Sequence, residues 1–486
     1  MPVLEQLAPQ SIWKNFEKIN AVPRPSKKEE RIIEFMLSFG KSLGLQTERD
    51  EIGNVIIKKL ATPGMESRKT VILQSHLDMV HQKNNQTDFD FITEGIQMKV
   101  DGDFVKAKET TLGADNGLGV ATIMAVLENE DEIKHPPIEA LFTIDEETGM
   151  TGAKELDASK LSGAILINLD TEEDDEIGIG CAGGVDITFS KTYQEVATRE
   201  NSLTVKLLVN GLNGGHSGMD IHKGFGNANK LLAKILFELD EQVDIQLHEI
   251  NGGGLRNAIP REAEASISFD KGKKGDFDKL FYRLKTEMQK EFSGIEKNLS
   301  LTAVSADSRQ LALSNLDKNQ LLATLYTIHH GVYRMSPSIA GLVETSNNLA
   351  RINAGDGSIE ISCLTRSAIE SGKQDLSNQM KAVGYLGGFK VNFSGDYPGW
   401  SPNPESPILD ITDKIYKQQN PDKPHIAACH AGLECGILSQ HLPEVDMVSI
   451  GPTILGAHSP DERANIQSVD KFWRLLKGIL ADIPAQ

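Results

Sequence analysis

Short apolar segments alternate with helical segments between about residues 28 and 190, and this order constrains the fold most. The predicted strands are NVIIKKL, TVILQS, PIEALFTID and AILINLD. Helical spacing of apolar residues occurs between them, in KKEERIIEFMLSFGKSLGL and in GLGVATIMAVLEN. Strands that alternate with helices predict an α/β fold, a mostly parallel sheet flanked by helices. Ligands of such sheets bind beyond the carboxyl ends of the strands.

The alternation of strands and helices stops at about residue 191 and resumes near residue 396. SLTVKLLVNGL, EAEASISFD and GSIEISCLTRS alternate with period two, and FDKLFYRLKTEMQKEF is an amphipathic helix. Such alternation predicts an antiparallel sheet. After YPGWSPNPESP, the helix PILDITDKIYKQQ and the strand VDMVSIGP follow. We therefore predict one catalytic α/β domain, formed by residues 1–190 and 396–486, with an α+β lid domain of residues 191–395 inserted into it.

Composition excludes several classes of protein. The chain has 486 residues and a formal net charge of −19, which argues against binding nucleic acid or anionic membrane. We expect no transmembrane helix, since no run of eighteen apolar residues occurs. The first residues carry early acids and no apolar signal segment, and the four cysteines are scattered without a C-x-x-C pair. These features favour a cytoplasmic protein.

Histidines and acids follow five separate segments of the α/β pattern, each at a strand end or a glycine-rich turn. Taken singly, each residue is typical of ordinary structure: a structural histidine, an acid pair at a helix start, or a turn-forming aspartate. Because the ends of parallel strands meet at one edge, the set predicts a common site. Its members are His76 and Asp78 (VILQSHLD), Asp115 (TLGADNGLG), Glu146 and Glu147 (FTIDEETG), Asp170 (LINLDTEE) and His458 (SIGPTILGAHSP).

This mixture of imidazoles and carboxylates suits metal ions. Zn²⁺ fits it, with Mn²⁺ or Co²⁺ as alternatives. Two cations about 3.5–4 Å apart need a shared carboxylate, and a water between them becomes a nucleophile that another carboxylate can deprotonate. Asp78 lies on the same strand face as His76 and can fix its imidazole. The side chains of Glu146 and Glu147 point in different directions, so one can bind a metal ion while the other acts on the water as a base.

The ordered motifs SHLDMV, TLGADNGLG, DEETG, NLDTE and GAHSP resemble the M20 metallopeptidases, and especially their cytosolic dipeptidase branch, the aminoacyl-histidine dipeptidases or carnosinases. NGGHSGMDIHKGFGNANK, GGLRNAIP, VETSNNLA and HAGLECG extend the resemblance over essentially the whole chain. It implies a phosphorylase/hydrolase-like fold and two divalent metal ions, usually zinc. By resemblance, His76 and Asp170 bind one metal, Glu147 and His458 bind the other, and Asp115 is the bridge.

The resemblance also assigns roles to acids that are not metal ligands. Glu146 resembles the general base, and Asp78 resembles the acid that orients a histidine ligand. Glu172 and Glu173 lie close to Asp170 and are alternative ligands, but the strand INLD places Asp170 first at the edge.

Three residues of the insert resemble groups that contact the substrate. His216 in NGGHSG resembles the lid histidine that stabilises the oxyanion, although a turn histidine is the simpler interpretation of the motif alone. Asn257 and Arg366 resemble residues that hold the substrate, and an arginine can bind the free carboxylate of a dipeptide with two parallel hydrogen bonds. A surface salt bridge is the alternative for Arg366. The role of HAGLECG stays open.

The sequence therefore predicts a zinc metallopeptidase that hydrolyses short peptides. A preference for Xaa-His dipeptides, including β-Ala-His, follows only from the resemblance. A tripeptide aminopeptidase, a carboxypeptidase or an N-acyl-amino-acid deacylase on the same scaffold is the alternative, and a non-catalytic metal-binding protein is a distant third. The resemblance also implies a homodimer formed through the insert. The alternative is that so large an insert completes the site within one chain, so whether His216 acts in its own subunit or across a dimer stays open.

Overall fold

Helices and strands alternate along the first part of the chain, as the sequence predicts. The structure, a computed structural model, describes Leu4 and residues 6–84, 86–129 and 133–485. The elements up to Cys181 are α1 (Gln10–Asn20), α2 (Glu30–Ser42), β1 (Gln46–Arg49), β2 (Val55–Lys59), β3 (Val71–His76), β4 (Met98–Asp101), β5 (Phe104–Ala107), α3 (Ala114–Glu128), β6 (Ile138–Thr143), α4 (Thr151–Lys154), β7 (Ile165–Asn168) and β8 (Glu176–Cys181).

Strands dominate the middle of the chain, and helices return at its end. The middle elements are β9 (Gly183–Thr192), β10 (Glu195–Ala197), β11 (Ser202–Asn210), β12 (Gly215–His216), α5 (Ala228–Val243), β13 (Gln246–Gly253), β14 (Ala258–Ile259), β15 (Ala263–Asp270), α6 (Lys274–Glu291), β16 (Ser300–Ser305), β17 (Leu311–Leu313), α7 (Asn315–Thr327), β18 (Gly331–Met335), β19 (Val343–Gly355), β20 (Ser358–Ser367), α8 (Glu370–Leu386) and β21 (Lys390–Tyr397). The last are α9 (Pro407–Gln419), β22 (His425–Cys429), α10 (Glu434–His441), β23 (Asp446–Ser449), β24 (Ile454–Leu455), β25 (Arg463–Asn465) and α11 (Ile466–Asp482).

The contacts divide the chain into two units. The first contains the described residues up to Cys181, Trp400–Ala428 and those from Leu433 onwards. The second contains Ala182–Gly399 and Cys429–Gly432. Among the residues that the structure describes, no helix combines the length and the apolar character needed to span a bilayer.

The first unit is built on a sheet with the strand order β1-β2-β6-β3-β7-β23-β8-β22. Its centre is parallel: β3 pairs with β6 and β7, and β23 pairs with β7. Strands β1, β2 and β8 pair antiparallel at its flanks. All six residues of β3 are buried, as expected for a central strand of a covered parallel sheet. This arrangement confirms the predicted α/β fold class.

The second unit contains an antiparallel sheet with the order β16-β11-β15-β13-β19-β20-β9-β21, and β18 pairs with β19. Apolar residues alternate along its strands, for example Val205, Leu207 and Val209 of β11, so they share one face. They form one buried cluster with residues of the helices, including Leu236 of α5 and Leu376 of α8. The period-two pattern of the sequence therefore corresponds to this helix-covered sheet face.

Candidate metal centre

Three parallel strands of the first unit end beside one another. His76, at the end of β3, is opposite Thr143, at the end of β6. Gln74 of β3 is likewise opposite Asn168, where β7 ends. The polar segments that follow these strands, including the one with Asp170, therefore start at the same edge of the sheet, where parallel sheets bind ligands.

The carboxylate of Asp115 lies between two histidines. Its Oδ1 is 3.1 Å from Nε2 of His76, and its Oδ2 is 3.1 Å from Nε2 of His458. Asp115 also belongs to two groups whose possible ligand atoms lie within 4.8 Å of one another: one with His76 and Asp170, the other with Glu147 and His458. A carboxylate that presents one oxygen to each group has the geometry of a bridging ligand.

Two further carboxylates each lie close to one of these histidines. Asp170 Oδ1 is 3.5 Å from His76 Nε2, and Glu147 Oε2 is 3.0 Å from His458 Nε2. Glu147 Oε1 is buried and has no hydrogen-bond partner among the described residues. A buried carboxylate oxygen without a donor, in a set of imidazoles and carboxylates, fits a divalent cation.

The electrostatics of the cluster favour positive charge. Hydrogen bonds with Asp115 and Glu147 raise the pKa of His458 to about 11. Burial lowers the pKa of His76, but the carboxylates of Asp170 and Asp115 outweigh it and raise the pKa well above its ordinary value. Burial raises the pKa of Asp170 to about 6. A site that draws protons onto both imidazoles is one that also attracts cations.

Asp78 connects two parts of the cluster. Its Oδ1 is 3.4 Å from His76 Nδ1, the ring nitrogen that faces away from Asp115. The backbone N–H of Glu146 donates to Oδ1 at 3.0 Å, and that of Glu147 donates to Oδ2 at 3.3 Å. Asp78 is fully buried, so these contacts are shielded from solvent. The backbone carbonyl of Asp78 is 3.2 Å from the same His76 Nδ1. Asp78 therefore orients the histidine through both its carbonyl and its carboxylate, and its carboxylate fixes the turn that carries both glutamates.

Glu146 is the remaining acid of the predicted set. It forms a further group of possible ligand atoms with His76 and Glu147. Burial raises its pKa well above the ordinary value, and the carboxylates of Asp170 and Glu434 add to the effect. A carboxyl group with a raised pKa binds a proton more readily than an ordinary glutamate, as a general base requires.

His216 lies in the second unit, and its hydrogen bonds define its tautomer. Its Nδ1 accepts from the backbone N–H groups of Gly218, at 3.2 Å, and Met219, at 3.1 Å. An imidazole nitrogen that accepts hydrogen bonds carries no proton, so the neutral ring bears its proton on Nε2. Nε2–H is therefore the donor that this side chain can offer.

Arg366 and Asn257 also lie in the second unit. Arg366 is buried, and its Nη1 donates to the Tyr397 hydroxyl at 2.8 Å. Its Nε donates to Ser217 Oγ at 3.4 Å. The carbonyl of Asn257 accepts from the backbone N–H of Ser217 at 2.8 Å, and Asn257 itself is exposed. The surface salt bridge considered for Arg366 does not occur among the described residues, because this guanidinium is buried and bonded to hydroxyl groups.

Three buried charged residues around the centre were not predicted: Arg24, Glu434 and Glu462. Glu434, in HAGLECG, accepts hydrogen bonds at 2.7 Å from Gln74 Nε2 and from Thr143 Oγ1. It thus joins the ends of β3 and β6, and burial raises its pKa to about 7. No pattern of residue types signals such contacts, although Glu462 follows His458 by only four residues.

Comparison with known proteins identifies the family of the chain. The profile of Peptidase family M20/M25/M40 matches residues 72–482. The chain belongs to this family. The M20 chain is 45% identical, over 486 residues and 100% of both sequences, to the cytosol non-specific dipeptidase of Escherichia coli (strain K12).

Solved structures agree with this membership. The M20 chain is similar to the crystal structure of aminoacylhistidine dipeptidase from Vibrio alginolyticus, with a TM-score of 0.94, 42% identity, and coverage of 99% of this chain and 98% of that one. Aminopeptidase PepT from Bacillus cereus has the same fold at 15% identity, with a TM-score of 0.57 and coverage of 98% and 99%. The predicted membership of the M20 peptidases, and with it the class of peptide-bond hydrolases, is confirmed.

Proposed function

We propose that this M20 peptidase is a cytoplasmic dipeptidase that cleaves Xaa-His dipeptides, including β-Ala-His, among its substrates. The names of two relatives at 45% and 42% identity, a cytosol non-specific dipeptidase and an aminoacylhistidine dipeptidase, support this activity. The observation that carries the chemistry is Asp115, whose two oxygens each face a histidine at 3.1 Å.

Two divalent metal ions belong to the proposal, Zn²⁺ first and Mn²⁺ or Co²⁺ as alternatives. His76 and Asp170 would hold one ion, Glu147 and His458 the other, and Asp115 both. When bound, such a pair of ions polarises the scissile carbonyl and makes water acidic enough to attack near neutral pH. The two candidate groups that share Asp115 support this assignment.

Glu146 is the proposed general base. It takes a proton from the attacking water as the C–O bond forms, and passes that proton to the nitrogen of the leaving amine as the C–N bond breaks. Asp78 fixes the backbone of Glu146 by a hydrogen bond of 3.0 Å. This contact keeps the base in one position during both transfers.

The insert, residues 191–395, is proposed as a lid that binds the substrate. His216 would donate from Nε2–H to the carbonyl oxygen as negative charge develops there. Arg366 and Asn257 would hold the free carboxylate of the dipeptide, and the buried guanidinium of Arg366 supports this role. The homodimer formed through the insert stays a prediction.

A panel of small substrates tests the proposed specificity. The purified protein would be incubated with β-Ala-His, Ala-His, Leu-Gly, a tripeptide and an N-acetyl amino acid, and the products would be separated by chromatography. We expect cleavage of the dipeptides alone, because the two relatives at 45% and 42% identity are named as dipeptidases. Cleavage of only the tripeptide would contradict the proposal and indicate a tripeptide aminopeptidase. Cleavage of only the acetylated substrate would contradict it and indicate an N-acyl-amino-acid deacylase.

A further inference from the structure

We propose that Glu462 is a positioning residue for the metal centre. Its buried carboxylate holds the loop of residues 112–115, so that the two oxygens of Asp115 face His76 and His458. The inference rests on the proposed function, in which Asp115 is the shared ligand. In this role, Glu462 itself contacts neither the substrate nor a metal ion.

One carboxylate accepts hydrogen bonds from four successive backbone amides. Glu462 Oε2 accepts from the N–H groups of Leu112, at 2.7 Å, and Gly113, at 3.0 Å. Its Oε1 accepts from those of Ala114, at 2.7 Å, and Asp115, at 3.3 Å. The last two amides lie at the start of α3, where the backbone of Asp115 and Asn116 is not helical. The carboxylate of Glu462 therefore supplies the acceptor for N–H groups that have no partner within a helix. Glu462 is only 2% exposed, so water does not compete for these bonds.

Arg24 holds the same loop by donating a hydrogen bond to one of its backbone carbonyls. Its Nη2 donates to the carbonyl of Gly113 at 2.6 Å, and its Nη1 donates to the carbonyls of Leu77, at 3.1 Å, and Asp78, at 3.0 Å. A Cβ atom at Gly113 would lie 2.6 Å from Arg24 Nη2, so the close approach requires glycine there. The loop is therefore fixed both to Glu462 and to the segment that follows His76.

Glu462 also links the loop to the segment that carries His458. The backbone N–H of Glu462 donates to the carbonyl of Ser459 at 3.0 Å, which closes the turn between the two residues. The turn that ends at Glu462 thus begins directly after His458, whose Nε2 is 3.1 Å from Asp115 Oδ2. The carboxylate of Glu462 therefore sets the position of Asp115, the proposed shared ligand, relative to His458.

Zinc binding to variants at this position tests the inference. Glu462→Gln replaces one of the two carboxylate oxygens with an N–H₂ group. That group cannot accept hydrogen bonds from the backbone amides of the loop, and it places one hydrogen-bond donor against another. Glu462→Asp keeps the charge but is shorter and reaches fewer amides. Metal-free protein would be titrated with Zn²⁺ by calorimetry. We expect zinc affinity to fall by about 10–100-fold in Glu462→Gln, as for other residues that orient ligands, and by less in Glu462→Asp.

Asp461→Asn is the matched control, because this exposed neighbour undergoes the same loss of charge. Its zinc affinity should equal that of the unaltered protein, and circular dichroism would establish which variants fold. Unchanged zinc affinity in folded Glu462→Gln, even with a lower Tm, would overturn the inference. If Glu462→Gln does not fold, Glu462→Asp decides the question by the same comparison. Failure of the unaltered protein to bind zinc would instead contradict the proposed metal centre.

Discussion

Replacing Glu146 with Gln should lower kcat for dipeptide hydrolysis by about 10²–10⁴-fold, the usual contribution of a general base. The amide has nearly the same shape as the carboxylate, but it cannot accept the proton of the attacking water. Glu146 also forms a group of possible ligand atoms with His76 and Glu147, so a role as a metal ligand must be separated from a role as a base. We expect Glu146→Gln to retain the metal content of the unaltered protein, measured by elemental analysis.

The control for this variant is Glu155→Gln, the same chemical change at an exposed glutamate that belongs to none of the candidate ligand groups. It should keep both metal content and kcat. Full activity in Glu146→Gln would show that another group takes the proton. Loss of metal together with activity would assign Glu146 to the metal ligands and leave the base unidentified.

Replacing Asp115 with Asn should remove both metal binding and activity. One carboxylate oxygen becomes an N–H₂ group that cannot bind a cation, and the charge shared by both candidate groups is lost. Because each oxygen of Asp115 faces a different histidine at 3.1 Å, no rotation of the amide can serve both sides. We expect zinc stoichiometry, measured on dialysed protein, to fall from two ions per chain to one or none, and dipeptide hydrolysis to fall below detection.

Asp461→Asn provides the comparison for this variant too, since it removes an exposed aspartate close to His458. It should bind zinc like the unaltered protein. Two tightly bound zinc ions in Asp115→Asn would contradict the bridging role, whatever the activity of the variant.

The candidate site at the edge of the central sheet could be predicted because histidines and acids follow directly where apolar strands end. Apolar strands such as Val71–His76 end in residue types that can bind metals, and the three parallel strands end side by side. The structure brings His76, Asp115 and His458 within hydrogen-bond distance, although Asp115 and His458 are 343 residues apart in the chain. Parallel strand pairing accounts for the position of His76, whereas Asp115 lies at the start of α3 and His458 follows β24, a strand of another sheet.

The residues that support the site could not be predicted for a physical reason. Glu462 and Arg24 act on backbone amides and carbonyls, which every residue possesses, so their partners leave no mark in the sequence. Glu462 contacts Leu112 across 350 residues of the chain. Glu434 is similarly hidden, because its partners are Gln74 and a threonine, residue types that usually lie at the surface.

The second unit shows the same limit in its secondary structure. Strand β9 was not predicted, because its first residues are glycines and its apolar residues are few. It nevertheless pairs along its whole length with β20, and its Ile187 and Phe189 are fully buried. Pairing with two neighbours stabilises a segment whose own propensity is modest.

Zinc dependence of dipeptide cleavage tests the central claim most directly. The protein would be freed of metal by chelation and dialysis, and hydrolysis of Ala-His would be followed as Zn²⁺ is added back in known amounts. We expect no cleavage by the metal-free protein and full recovery as two zinc ions bind per chain. Unchanged hydrolysis after complete removal of metal would contradict the account, because the cluster around Asp115 would then have no part in catalysis.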